Sequence, residues 1–189
     1  MKILKYILGI VLLLALIFIA LGIITPAISY DSEITVSKSA KEAWAVMSDE
    51  SKAPLWISGF IKNELISGRP NTIGAVSNIH FDEDGKEMII QETITDIKPY
   101  ELMAMSFNAE DFMLMDYVMH FTESIGETTI RSKTTATGQG MLERSIVALM
   151  KNTMITQEDQ NMARLKKLIE ENTTNYFPVI EEITKDSIQ

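Results

Sequence analysis

The chain has 189 residues, of which 46% are hydrophobic, and 26 acidic residues against 17 basic ones give it a formal charge of −9. This apolar share excludes a disordered chain, because enough surface can be buried to offset the entropy lost on folding. The acidic balance repels phosphate backbones and excludes nucleic acid as a partner. Since the sequence has no cysteine, a disulfide scaffold, a thiol nucleophile and a cysteine-bound metal are excluded as well.

The first predicted element is an uncharged apolar helix over residues 6–24. A helix of that length spans roughly 28 Å, about the thickness of the hydrocarbon core of a bilayer. A cleaved signal peptide is the alternative, since Lys2 and Lys5 precede the apolar run and Ala27-Ile28-Ser29 would suit a signal peptidase. We favour an uncleaved single-pass transmembrane anchor, because the run is long for a signal peptide and the cleavage motif lies beyond its end.

The positive-inside rule sets the expected orientation of this anchor. Lys2 and Lys5 would keep residues 1–5 in the cytoplasm, so the rest of the chain is expected outside the cytoplasmic membrane. We interpret this exported part as one domain over residues 25–172, followed by an acidic tail over residues 173–189. The sequence does not decide whether the tail forms a short helix or stays loose.

Short elements open the predicted domain. Ser32–Ser37 alternates polar and apolar residues, as a half-buried strand does. Ser39-Ala-Lys-Glu42 is a capping box and predicts the start of a short helix. Pro54 then indicates a second short helix or a turn.

From residue 62 onward the hydrophobic period is two, which predicts a series of strands. The expected strands are Lys62–Ser67, Ala75–Phe81, Met88–Ile97, Glu101–Phe107, Phe112–Thr122 and Thr128–Thr137. Asp84-Gly85 is typical of a two-residue hairpin, and Pro99 and Gly126 mark later turns. Consecutive hairpins of this kind build an antiparallel sheet.

The last predicted element is a long helix over Met141–Asn172, where the period becomes helical. Its expected apolar stripe comprises Leu142, Ile146, Met150, Thr153, Gln157, Asn161, Leu165 and Leu168. A sheet with one apolar face needs a covering layer, and this helix is the natural one. We therefore predict an α+β fold in which a curved antiparallel sheet of about seven strands grips a long C-terminal helix, with a cavity between them.

This order of elements, together with its local sequence, resembles the START-like superfamily, also called SRPBCC, in its membrane-anchored bacterial form. The likeness is carried by Ile34–Trp44, Trp56, Ile94–Leu102 and Leu165–Glu170, and it covers roughly residues 30–172. The resemblance implies the helix-grip fold of polyketide cyclase-like and lipid-transport-like proteins. It also implies binding of a lipid or another hydrophobic small molecule, and only sometimes catalysis. It supplies no shared catalytic motif and implies no cofactor.

Strand alternation predicts which side chains point towards the helix. In Phe112–Phe121 the odd-numbered positions form the apolar set, and the same test applies to the neighbouring strands. With Trp56 and two residues of the helix, the expected ligand cavity is lined by Trp56, Phe81, Met88, Met103, Met105, Phe107, Met113, Met115, Tyr117, Met119, Met150 and Gln157. So many methionines suit a pocket for varied ligands, or simply fill a core, and the sequence leaves both open.

Few residues of the predicted cavity bear catalytic chemistry. Glu92 is in phase with inward-facing residues, and Glu92 and Tyr117 are the acid–base candidates, since a carboxylate in an apolar pocket has a raised pKa. We favour the interpretation that Glu92 has a basic partner or lies near the open end of the sheet, because buried acids usually have partners. Gln157 and Asn161 would bind a ligand head group, or mark where the sheet ends.

A metal site is not expected. His80 and His120 both fall on the outward phase of their strands. Methionine thioethers in an exported protein suit Cu(I), but alternation places Met119 and His120 on opposite faces. We therefore predict no metal and no cofactor.

Three functions remain open at this point. The favoured one is a membrane-tethered domain that binds a lipid or other hydrophobic small molecule without catalysis. The alternatives are a cyclase- or dehydratase-type enzyme acting on a hydrophobic substrate, and an envelope interaction domain whose core is filled by its own methionines. The sequence identifies no protein partner.

Overall fold

A computed structural model describes residues 2–178, and the structural statements below refer to this part of the chain. In chain order the elements are α1 (Lys2–Ile24), β1 (Ile28–Val36), α2 (Ala40–Met47), a 3₁₀ turn (Glu50–Lys52), α3 (Ala53–Trp56), β2 (Phe60–Ser67), β3 (Val76–Glu83), β4 (Lys86–Lys98), β5 (Leu102–Ala109), β6 (Met113–Ser124), β7 (Glu127–Gly138) and α4 (Met141–Glu170). The predicted order of strands and helices is confirmed.

The strands form a single antiparallel sheet in the order β1-β7-β6-β5-β4-β3-β2. Strands β2 to β7 follow one another as hairpins, whereas β1 joins the far edge by pairing with β7. The register of β4 against β5 shifts between Ile94 and Asp96, and that of β2 shifts twice against β3. Such bulges bend a strand, and they help the sheet to curve around a partner.

The hairpin between β3 and β4 is turned by Asp84 and Gly85, as the sequence predicts. Both residues have positive φ, 52° and 80°, which is the backbone conformation of the tight turns that match strand twist. The capping box before α2 is also present, with the Ser39 hydroxyl accepting from the Glu42 N–H at 3.2 Å. Both predictions are correct because the residues that form the turn and the capping box lie within four positions of one another in the sequence.

The main core lies between the sheet and the C-terminal half of α4. Its members share almost complete burial: Val36, Trp44, Val46, Met119, Phe121, Ile130, Met162, Leu165 and Ile169. Trp44 of α2 packs against Phe121 of β6 with ring centroids 5.2 Å apart. This cluster closes one end of the space between helix and sheet.

The N-terminal half of α4 differs from the prediction. Leu142, Ile146 and Met150 are exposed, whereas Ser145 and Val147 are buried. The reason is that α1 packs against this part of α4: the Ser145 hydroxyl donates to the Phe18 carbonyl at 2.6 Å. The buried face of α4 therefore follows Val147, Met154, Glu158, Met162, Leu165 and Ile169.

The start of the tail packs against the 3₁₀ turn that follows α2. The Tyr176 hydroxyl donates to Asp49 at 2.7 Å, and Lys52 donates to Asn172 at 2.5 Å. Residues 173–178 contain no helix or strand. The rest of the predicted tail, residues 179–189, lies outside the described residues.

Candidate ligand-binding cavity

A cavity of about 440 Å³ lies between α4 and the concave face of the sheet. It exists because α4 packs closely on β1 and β7 at one edge and leaves the central strands without a covering helix. Exposed residues at one end, Glu50, Leu65, Pro70 and Asn71, mark where the cavity opens to solvent. The opening lies between the 3₁₀ turn and the loop from β2 to β3.

Most of the residues predicted to line the cavity do line it. The lining contains nine of the twelve: Trp56, Phe81, Met103, Met105, Phe107, Met115, Tyr117, Met119 and Gln157. In the register, Phe107 lies opposite Met115 and Met105 opposite Tyr117, so the inward side chains form continuous rows across β5 and β6. That these residues contact a ligand stays a prediction.

Three predicted residues do not line the cavity. Met88 is partly exposed at the start of β4, because the β3–β4 hairpin extends past α4. Met113 belongs to a small separate cluster with Ile28, Ala136 and Val147. Met150 lies on the exposed side of α4, since the packing of α1 turns another face of that helix towards the sheet.

Glu92 lines the cavity from the middle of β4. The register places it opposite Ser77 on β3 and Phe107 on β5. Within residues 2–178 its carboxylate has no hydrogen bond and no ion pair, and burial raises its pKa to about 7. The basic partner considered in the sequence analysis is therefore not found in the described part of the chain.

A second acid, Glu158 of α4, lies in the same cavity and was not predicted. Its Oε1 accepts hydrogen bonds from the Tyr117 hydroxyl at 3.1 Å and from the Ser132 hydroxyl at 2.5 Å. Burial raises the pKa of Glu158, while the two donated bonds oppose that rise. Burial, with the charge of Glu158, raises the pKa of Tyr117 well above its usual value. Its spacing in the sequence could have predicted this position, because Glu158 lies four residues after Met154 and four before Met162, on the same face of α4.

The amides predicted to contact a head group have a structural role as well. Asn161 Oδ1 accepts from the backbone N–H of Ser58 at 3.2 Å and from Gln157 Nε2 at 3.1 Å. Arg164 donates to the same oxygen and to the Trp56 carbonyl. These bonds fix the segment between α3 and β2 against α4 and so hold one wall of the cavity in place.

Buried polar atoms without a hydrogen-bond partner are concentrated in the cavity wall. Ser48 Oγ, Trp56 Nε1 and Asn63 Oδ1 have none in the described part of the chain, and all three residues line the cavity. Such atoms are rare in native proteins, because leaving them unpaired costs about 1–3 kcal/mol each. A ligand with polar groups would satisfy them.

The two histidines lie away from the cavity, as alternation predicts. His80 is buried on the convex face, with Nδ1 2.6 Å from Glu87 and Nε2 3.3 Å from Glu64. His120 is exposed. Among residues 2–178, no group of three or more His, Asp or Glu side chains is placed to hold a metal ion.

Comparison with known proteins finds solved structures that resemble this one, but no family model or curated protein with a matching sequence. No protein-family model matches the chain, and no curated protein matches it significantly. The structure is similar to protein CV1439 from Chromobacterium violaceum, with a TM-score of 0.62, 11% identity and coverage of 76% of this chain and 98% of that one.

Two further solved structures show the same likeness. The Zhui aromatase/cyclase from Streptomyces sp. R1128 has a TM-score of 0.57 at 15% identity, covering 76% of this chain and 91% of that one. Ara h 8.0201 has a TM-score of 0.55 at 14% identity, covering 74% and 98%. At these identities the likeness shows the fold alone, and the chain has a helix-grip fold, in which a curved antiparallel sheet wraps around a long C-terminal helix.

Proposed function

We propose that this domain binds a lipid or other hydrophobic small molecule in its internal cavity and that α1 tethers it to a membrane. The observation that carries the binding proposal is an apolar space of about 440 Å³ that the side chains of the domain leave unfilled. Small-molecule sites are typically apolar clefts of about 300–1,000 Å³ with a few polar groups. The methionine and aromatic rows, with Glu92, Glu158 and Asn63 among them, have this composition.

The cavity favours ligand binding over a core filled by its own methionines. Protein interiors are close-packed, and voids larger than a water molecule are few. Met103, Met105 and Met115 line the space instead of closing it. A flexible, polarizable lining of this kind adapts to ligands of different shape.

The membrane tether rests on the exposure of α1. Residues 3–17 are exposed, and the helix has an apolar span from Ile3 to Ile24 with a mean hydropathy of 3.3. A 22-residue helix is roughly 33 Å long, enough to cross the hydrocarbon core. Residues 3–17 of this apolar helix pack against no part of the described chain and therefore need lipid around them.

The last turns of α1 support a retained anchor over a cleaved signal peptide. Gly22 is buried against α4, and Ser145 bonds to the carbonyl of Phe18. Cleavage after Ser29, at the end of the Ala27-Ile28-Ser29 motif, would remove this packing and uncover the buried Ser145. With Lys2 and Lys5 on the cytoplasmic side, we place the domain outside the cytoplasmic membrane.

A second candidate is an acid–base enzyme of the cyclase or dehydratase type. The observation that favours it is the Tyr117–Glu158 hydrogen bond in the same apolar cavity as Glu92. Both carboxyl groups have raised pKa values, as general acids and bases require near neutral pH. Tyr117→Phe separates the two functions, because a carrier keeps its ligand affinity whereas an enzyme that uses the hydroxyl loses turnover.

The binding proposal is tested with the full chain in phosphatidylcholine nanodiscs and the fluorescent hydrophobic probe N-phenyl-1-naphthylamine. Met115→Trp places an indole in the cavity, and Leu114→Trp is the matched control on the opposite face of β6, where Leu114 is 46% exposed. We expect Met115→Trp to weaken probe binding about tenfold or more, equivalent to about 1.4 kcal/mol, and Leu114→Trp to leave it unchanged. Equal affinities in both variants would show that the probe binds elsewhere.

A further inference from the structure

Polar acceptor groups form a patch on the sheet wall of the cavity. Glu92 and Ser77 are direct cross-strand neighbours, and Asn63 on β2 pairs with Ile79, two residues along β3 from Ser77. Residues two apart on a strand share a face, so Asn63 lies on the same face as Ser77 and Glu92, diagonal to Ser77 across β2 and β3. Asn63 Oδ1 and the Glu92 carboxylate both accept hydrogen bonds, and neither receives one within residues 2–178.

The charges of the lining have one sign. Among residues 2–178, the lining contains Glu50, Glu92 and Glu158 and no lysine, arginine or histidine. The cation behind the wall, Arg164, donates to the Trp56 carbonyl and to Asn161 Oδ1 instead of facing Glu92. An anionic head group in this space would meet carboxylates where water screens charge poorly, and the repulsion would oppose its binding.

The opposite wall supplies hydrogen-bond donors. Trp56 is only 9% exposed, and its indole N–H is buried without a partner in the described part of the chain. The Ser48 hydroxyl is buried and unpaired in the same way. A head group that donates to Glu92 or Asn63 and accepts from Trp56 would therefore satisfy atoms on both walls.

We infer that the cavity selects a hydrophobic molecule whose head group donates hydrogen bonds and carries no negative charge, an alcohol or an amine, and that it rejects anionic lipids such as fatty acids. This inference rests on the proposed binding function and specifies the ligand class for it. Glu92 is the residue that distinguishes these head groups, because its carboxylate attracts a donor and repels an anion.

The test compares three water-soluble ligands with the same eight-carbon chain: octylamine, 1-octanol and octanoate. Each is titrated at pH 8 against the full chain in phosphatidylcholine nanodiscs loaded with N-phenyl-1-naphthylamine. The loss of probe fluorescence gives its affinity after the loss in protein-free nanodiscs, which measures probe in the bilayer, has been subtracted. We expect octylamine and octanol to displace the probe at concentrations at least about tenfold lower than octanoate, the range expected for a hydrogen bond to a charged group. If octylamine displaces the probe and octanol does not, the cavity selects a donor that is a charged ammonium group.

Variants of Glu92 identify the source of the preference. Glu92→Gln and Glu92→Leu should bring the three affinities to within about threefold of one another, whereas Glu101→Gln, which removes one exposed acid from the turn after β4, should keep the preference. Octanoate binding as tightly as octylamine to the unaltered chain, or the preference surviving in both Glu92 variants, would overturn the inference. In either case the probe still binds, so the proposed function stands; failure of the probe itself to bind would overturn the proposed function instead.

Discussion

Glu92 and Ser77 face each other across β3 and β4, and both side chains line the cavity. The carboxylate has lost water without gaining a basic partner among residues 2–178, and burial alone raises its pKa to about 7. An acid in this state is more stable protonated, which links the folding of the domain to pH.

We predict that the domain becomes less stable as pH rises from about 4.5 to 7. The folded state holds the Glu92 proton up to about pH 7, whereas the unfolded chain releases it near the ordinary value of 4.5. The native state therefore binds more protons between these values, and stability falls with pH, by up to about 3 kcal/mol for this group. The raised pKa of Glu158 acts in the same direction.

The measurement is urea unfolding of the full chain at pH 5 and pH 8. Glu92→Gln should reduce the difference between the two pH values, because the amide does not titrate. Glu101→Gln serves as the control and should keep the full difference. An unfolding free energy that rises from pH 5 to pH 8 would contradict the burial of an unpaired acid at this position.

Tyr117→Phe should lower the unfolding free energy by about 1–2 kcal/mol, because it removes the hydrogen bond that the hydroxyl donates to buried Glu158. The matched change Tyr100→Phe, at a 40% exposed tyrosine, should cost much less. Urea unfolding at pH 7 measures both. Equal costs would mean that the Tyr117–Glu158 bond contributes nothing to stability.

Met115→Ala distinguishes an open cavity from a filled core. Changing Met162, which lies in the main core and is 0% exposed, to alanine should lower the free energy of unfolding by about 2–5 kcal/mol. Met115 lines a space that is already open, so its loss creates less new void, and we expect a cost of about 1 kcal/mol. If unfolding shows that Met115→Ala costs as much as Met162→Ala, the methionines fill a core.

Gly22→Leu should separate α1 from α4. A Cβ at Gly22 would lie 2.5 Å from the Met141 carbonyl oxygen and from Ser145 Oγ, whereas a Cβ at Gly9 would meet nothing within 4 Å. Hydrogen exchange in nanodiscs should therefore show faster exchange over residues 141–149 in Gly22→Leu and no change in Gly9→Leu. Unaltered protection in Gly22→Leu would mean that α1 does not rest on α4.

Local chemistry made the strands predictable from the sequence. Period-two alternation and turn residues predict all six strands from β2 to β7 to within two residues at each end, because a strand with one buried face records that face in every second residue. The odd-numbered residues of β6 do face the cavity from Met115 to Met119. At Met113 the strand still points inward, but a separate cluster fills the space beneath it.

Long-range packing made the rest unpredictable. The exposed side of α4 depends on where α1 packs, and nothing near Leu142 or Met150 in the sequence records that contact. Glu158 was missed because an acid in a helix stripe ordinarily faces solvent, and its partners Tyr117 and Ser132 come from two different strands. The place where α4 diverges from the sheet, which creates the cavity, is likewise a property of the assembled fold.

The central claim is that the cavity holds a hydrophobic ligand, and native mass spectrometry of the full chain, purified from bacterial membranes in a mild detergent, tests it most directly. We predict a discrete added mass that organic solvent extracts, present in the Leu114→Trp variant and reduced or absent in Met115→Trp. An apo mass in the unaltered chain, together with no displaceable binding of N-phenyl-1-naphthylamine, would contradict the account.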